Sequence, residues 1–248
     1  MTNKIKIWAV LVWIVVWQIG SMAVGYRFLL PPPLSVGRSL LHLLGESDFY
    51  LSVFSSIARI SIGFLSGFVA AVALAPLSVR YRYLGELLAP LVFTIKTVPV
   101  ASFIILILIW ASAKQMSIII AFMMVFPILY TNIRSGIQNT DKKLLEFSKV
   151  FALSKYKEFR YIYLPEIMPL LTAGASLSVG LAWKAGIAAE IIGLPRHSIG
   201  ESLYNAKIYF DTENLFAWTF VIVCLSILFE KTFMLILKRI TGQKKISR

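Results

Sequence analysis

The 248 residues would suffice for one or two soluble domains, but 58% are hydrophobic and only 15% charged, against roughly 45–50% and 25% in soluble proteins. With a mean hydropathy of +0.78, the chain carries more apolar surface than a soluble core hides, and disorder, coiled coil and collagen-like repeats are excluded on the same figures. The net charge of +13, from 25 Lys+Arg against 12 Asp+Glu, would suggest nucleic acid in a soluble protein; here it is first a topology signal.

About 20 apolar residues cross a hydrocarbon core as one helix. Six stretches qualify: 7–24, 57–79, 84–111, 116–133, 167–192 and 215–237. None alternates as a barrel strand would, so the expected fold is an all-α, polytopic transmembrane bundle, a single domain over 1–248. The first stretch carries Trp8, Trp13 and Trp17 and is read as a retained span, although Ser21-Met22-Ala23 loosely resembles a signal-peptide cleavage site. Pro31, Pro32 and Pro33 then enforce an extended segment, and Val36 to Leu44 reads as an amphipathic helix in the outer interface. The third stretch is too long for one straight span. Pro99 should break it into an interfacial piece before and a spanning piece after. The lone Cys224, in the sixth stretch, leaves no intramolecular disulfide and no cysteine metal site.

Basic residues set the orientation. With the N-terminus inside, seventeen of the 25 fall on the cytoplasmic side, among them Lys4, Lys6, Arg80, Arg82, Arg134, Lys231, Lys238, Lys244, Lys245 and Arg248. Only Arg27, Arg38, Lys114, Arg196 and Lys207 fall outside. This positive-inside asymmetry predicts that both termini are cytoplasmic and that 193–214 is external. The charge then serves topology and attraction to anionic lipid, and nucleic acid is not expected as a partner.

The cytoplasmic segment 134–166 is the most informative. Asp141 can cap a short helix with Leu144, Phe147 and Phe151 on one face. Ala152-Leu153-Ser154 interrupts it, and Ser154 can cap a second helix with Tyr156, Phe159 and Tyr163 on one face. Pro165 should end that second helix before the fifth span begins. The product is a helix–turn–helix with an aromatic stripe and a basic rim. It either lies on lipid or docks a cytosolic partner.

Ionisable groups at membrane depth are costly and mark cavities or partners. Arg59 and Glu190 lie near the external ends of their spans, where snorkelling or a structural ion pair accounts for them. Glu190 is read as the only carboxylate within the spans. Lys96 sits where it could snorkel inward. Lys184 is deeper, and its spacing from Glu190 excludes pairing on one helix face. It must find a partner on another helix or line a pathway, with Lys96 the other candidate for that role. Trp183 and Trp110 read as packing or interfacial residues.

The segment EFSKVFALSKYKEFRYIYLPEIMP, Glu146 to Pro169, resembles the cytoplasmic "EAA" loop of type I ABC importer permeases. Glu146, Leu164, Pro165 and Pro169 sit at the family spacing, while Phe147 and Ser148 replace the two alanines and Ala152 replaces the glycine. LLPPPLSV, SIARISIGF, KTVPVASFIILILIW and LAWKAGIAAEIIG look like segments of the nitrate/sulfonate/taurine branch, so the resemblance runs from Leu29 onward. It implies a membrane-spanning subunit in a bacterial inner membrane that works by alternating access. Expected partners are a second copy of the chain, a cytosolic ABC ATPase dimer and an extracytoplasmic substrate-binding protein. It implies that Glu146, Phe147, Ser148, Phe151, Ala152, Tyr156, Phe159, Leu164 and Pro165 couple to the ATPase, which holds the ATP and Mg. Ala152 in place of glycine suggests that this turn need not adopt a left-handed backbone.

The chain has no P-loop and no HExxH, and its only histidines are His42 and His197, so no cofactor and no catalysis of its own are expected. An ion-gradient transporter would want more intramembrane carboxylates, and a membrane enzyme would want a nucleophile–base or metal cluster. Relatives of this type carry oxyanions, sulfonates and vitamin precursors; two lysines in the path would suit an anion.

Overall fold

With no water in the hydrocarbon core, a chain this apolar must satisfy its backbone within each segment, and helices do so. The computed structural model describes residues 6–26 and 28–241, and among them it contains helices and no strand. Lys4, Arg27, Lys244, Lys245 and Arg248, all used above for orientation, lie outside the described residues.

Helix α1 (Ile7–Val24) stops at Gly25, whose φ of 70° forms a left-handed cap, a conformation glycine adopts without a Cβ clash. Almost all of α1 is exposed, as suits a helix facing lipid. Helix α2 (Pro33–Leu43) begins on the proline run, with proline at its first position, where the missing N–H costs nothing. Helix α3 (Ser47–Arg80) is 34 residues long, about 51 Å by helix rise. It starts ten residues before the apolar run at Ile57, because its first turns pack on other protein: the Phe49 ring lies 5.1 Å from that of Trp218.

Helices α4 (Arg82–Thr97) and α5 (Val100–Trp110) meet at Pro99 with a bend of 110°. The break is where the proline requires it. The piece after it differs from the expectation: α5 has 11 residues, about 16 Å of helix, too short to span a core of about 30 Å alone. Ser112 sets that limit by opening the next helix with a reciprocal capping box to Gln115. Among the described residues, five helices are long and apolar enough to cross a membrane, and the bent pair makes a sixth span if counted as one.

Helix α6 (Ala113–Gln138) is the axis of the bundle, lying along α3 on one side and the long helix α9 (Leu164–Gly193) on the other. Close approach is possible because glycines face the contacts. A Cβ on Gly63 would come within 2.3 Å of the Ile118 carbonyl, and one on Gly174 within 2.3 Å of Asn132 Nδ2. Small residues are what bring helices together where lipid competes with apolar side chains. Between α6 and α9 come α7 (Lys142–Val150), α8 (Lys155–Glu158) and one π turn over Phe159–Tyr163. Helix α10 (Ile199–Ile208) and helix α11 (Thr212–Thr241) complete the chain.

Pro165 does not end the second short helix as expected. The chain runs from Lys155 to Gly193 as one 39-residue stretch, because the π turn absorbs the proline: Leu164 N–H donates to the Phe159 carbonyl five residues back. The extra residue per turn accommodates a ring that a regular α turn would clash with. The bundle thus has two ends. One carries α7, α8, Arg80, Arg134 and the end of α11; the other carries α2, α10 and the start of α3.

Candidate functional site

At the α7–α8 end, the two short helices are shaped by their caps. Asp141 accepts from Lys143 N–H at 2.9 Å and opens α7. The helix closes in a Schellman motif, with Ala152 N–H on the Lys149 carbonyl at 3.1 Å and Leu153 N–H on the Ser148 carbonyl at 3.0 Å. That motif needs a left-handed residue after the cap, and Ala152 supplies it with φ of 44°. The turn is therefore left-handed despite the alanine, against the expectation drawn from its lack of glycine. The hydrogen-bond pattern fixes the conformation, and the alanine bears a strain of about 1 kcal/mol. Ser154 then accepts from Lys157 N–H and opens α8.

The nine residues expected to act here divide into two groups. Glu146, Phe147, Phe151, Tyr156 and Phe159 are exposed, the four rings between 50% and 75%. Phe147 and Phe151 form a pair with centroids 4.3 Å apart; Tyr156 and Phe159 stack on neither. The other four build the frame. Ser148 is buried and donates to Glu158 at 3.1 Å, tying α7 to α8. Ala152 makes the turn. Leu164 packs against the bundle core, and Pro165 opens α9. Val150, 80% exposed on α7, belongs with the outer group and was missed because the apolar face of α7 was drawn through Leu144, Phe147 and Phe151. Arg160 was read only as basic rim; its guanidinium donates to the Thr241 carbonyl at 2.8 Å, fastening the π turn to the end of α11.

At the other end, Arg59 and Glu190 form a structural ion pair, Nε to Oε1 at 3.1 Å, with 9% and 0% exposure. Glu190 also accepts from Ser56 Oγ at 2.6 Å and from Gly200 N–H at 3.3 Å. Arg59 donates to the His197 carbonyl, and Ser56 accepts from Ile199 N–H. One carboxylate thus joins α3, α9 and the first turn of α10. Gly200 makes the approach possible, since a Cβ there would fall 2.3 Å from that of Glu190. The connecting turn is held with Leu194 and His197 at φ of 48° and 52°.

The two lysines are not brought together. Lys96 Nζ donates to Thr131 Oγ1 of α6 at 3.2 Å. Asn132, the residue after Thr131, faces Gly174 of α9, and Lys184 is ten residues further along that helix, roughly 15 Å by helix rise. Lys184 is exposed on a strip of α9 shared with Ala173 and Leu177, and makes no ion pair or hydrogen bond among the described residues. Trp183 beside it is buried, and Trp110 is 80% exposed. Glu190 is not the only carboxylate within the spans: Glu230, inside 215–237, accepts from Ser176 of α9.

The family model for the binding-protein-dependent transport system inner membrane component matches residues 63–244. The chain is 27% identical over 207 residues to the putative aliphatic sulfonates transport permease protein SsuC of Bacillus subtilis, covering 82% of this chain and 74% of that one. It is 27% identical to the nitrate import permease protein NrtB of Synechocystis, over 74% and 70% of the two chains. It is 24% identical to the formylaminopyrimidine transport permease protein ThiX of Halalkalibacterium halodurans, over 86% and 85%.

Proposed function

The chain belongs to the binding-protein-dependent transport inner-membrane component family, in the sulfonate/nitrate branch of ABC importer permeases, and we propose that it forms, with a second copy of itself, a substrate pathway driven by a cytosolic ATPase. The α7–α8 end is the cytoplasmic one in this reading, with both termini on that side, and ATP and Mg reside on the ATPase. An extracytoplasmic binding protein delivers the substrate at the α2–α10 end. The substrate is a small anion or a vitamin precursor, in keeping with what the relatives are named for and with a Lys184 that has no partner among the described residues.

The observation that carries the reading is the outer surface of α7 and α8. Phe147, Val150, Phe151, Tyr156 and Phe159 are left exposed, and α7, with nine residues, is too short to be stable without something to pack on. A groove on an ATPase would cover them, and Glu146 would meet a donor or cation there. The route of coupling is continuous. A push on α8 enters α9 through the π turn and travels along a 39-residue helix, about 58 Å by helix rise, to the Glu190 junction with α3 and α10. Arg160 carries the same push to α11.

Glu146→Arg and Phe151→Asp test this. Both should lower co-purification of the ATPase or uncouple hydrolysis from transport, Phe151→Asp more severely because it places a charge in an apolar contact. If the pair of helices instead lies on lipid, both variants retain the ATPase and normal substrate-stimulated hydrolysis, and the coupling role is lost. An ion-gradient mechanism gains no support from the carboxylates, since Glu190 is committed to Arg59 and Glu230 to Ser176.

A further inference from the structure

Between α2, the start of α3, α10 and the start of α11 lies an open cavity of about 250 Å³. In a chain of net charge +13, three of the twelve acidic residues line this one cavity: Glu46, Asp48 and Asp211. Glu46 is 3.1 Å from His42 Nδ1, and Asp211 accepts from the Asn214 backbone and side-chain N–H at 3.1 and 2.6 Å. The Asp48 carboxylate has no partner among the described residues. The wall behind them is aromatic, made by Phe49 and Trp218, which are 7% and 4% exposed. Ser52 completes the lining. It is 5% exposed, and its hydroxyl has no hydrogen-bond partner among the described residues. That oxygen is not among the sealed polar atoms without a partner, so it opens onto the cavity, where a group from outside can reach it.

We propose that this cavity receives an arginine or lysine side chain from a protein that docks on the α2–α10 end. Carboxylates around an aromatic wall suit a cation that is held by charge at its rim and by a ring face behind it. Ser52 would accept one of its N–H groups. The cavity is lined by α2, α10, the starts of α3 and α11 and the turns between them, the elements of this end of the bundle, so a side chain carried by a large partner can enter. The proposal rests on the reading that this end is extracytoplasmic, where the binding protein arrives.

Ser202 on α10 also lines the cavity, so one labelling experiment separates the two ideas. The full chain carrying Ser202→Cys and Cys224→Ser is reacted with a membrane-impermeant maleimide in whole cells and, separately, after purification. Reaction from outside whole cells supports the orientation; reaction only from the cytoplasmic side refutes the orientation and, with it, docking by an extracytoplasmic protein. On the purified chain, N-acetylarginine amide should slow labelling roughly threefold or more, while the uncharged citrulline analogue should not. Asp48→Asn together with Asp211→Asn should abolish the protection; both positions are exposed, and asparagine at 211 can still accept from Asn214, so folding is preserved. Equal labelling with and without the arginine amide, or protection that survives the double change, overturns the cation site. Stronger protection by tetramethylammonium than by the arginine amide assigns the cavity to a small organic cation and overturns docking.

Discussion

The buried Glu190 junction and the α7–α8 surface handle polar and apolar groups in opposite ways. At the α2–α10 end, Arg59 and Glu190 are buried together, and Ser56, His197, Ile199 and Gly200 supply or accept the remaining hydrogen bonds. At the α7–α8 end, Glu146 stands without a partner among the described residues, and phenylalanine and tyrosine rings lie half or more exposed. A junction that satisfies itself holds the fold. A surface that leaves rings uncovered is finished by something else. The difference predicts that mutations in the Glu190 junction act on stability and mutations on the α7–α8 surface on association.

The largest effect is expected at the buried junction. Glu190→Gln leaves the Arg59 charge buried without its counter-charge, which costs about 3–5 kcal/mol. Thermal unfolding in detergent should show a large loss. Arg59→Met with Glu190→Met should recover most of it, because two apolar side chains of similar volume avoid the desolvation penalty. A single variant as stable as the double would remove the contrast on that side.

Phe151→Asp is the counterpart at the other end. It should leave the unfolding temperature of the isolated chain nearly unchanged, since the ring is 62% exposed, while weakening ATPase binding by about 2 kcal/mol or more, as loss of an interface anchor does. A marked fall in intrinsic stability would instead place that ring in the fold. Between the ends, Lys184→Met should reduce anion uptake about tenfold, the scale of one charge-assisted contact, with assembly intact. Wild-type uptake would take Lys184 out of the pathway.

The smallest effect should come from the turn itself. Ala152→Gly relieves the left-handed strain and should stabilise the α7–α8 segment by about 1 kcal/mol, read as slower hydrogen exchange of the Leu153 amide. Unchanged or faster exchange would mean that the turn is not strained.

The sequence was most legible where one force acts alone. Helix α1 begins and ends at the residues the apolar run marks, Ile7 and Val24, because lipid is its main neighbour. The breaks at Pro99 and Ala152 were also readable as breaks. Legibility fell where distant parts of the chain decide the outcome. The first turns of α3 mix serines and an aspartate with Phe49, Tyr50, Leu51, Val53 and Phe54 and were not read as part of the span, yet they are helical because Phe49 packs on Trp218. Pro165 reads as a stop, but one π turn carries the helix past it. Ala152 reads as free of left-handed geometry, yet the two Schellman hydrogen bonds impose it. Glu230 was overlooked although it lies inside 215–237, its partner Ser176 being 54 residues away. For Glu190 and Arg59 a structural ion pair was one of the expected accounts, but the further donors Ser56 of α3 and Gly200 of α10 were not foreseen. At the α7–α8 surface, residue types were visible in advance; the division into exposed rings and a supporting frame of Ser148, Leu164 and Pro165 was not.

The central claim is that a protein covers the α7–α8 surface, and Val150 is the most direct witness because it is 80% exposed on α7 without belonging to the frame. The full chain with Val150→Cys and Cys224→Ser should react with a maleimide when purified alone. After assembly with its ATPase, the same cysteine should react at least tenfold more slowly, as expected for a side chain sealed inside a packed interface. Equal reaction rates in the free chain and in the assembled complex would contradict the account.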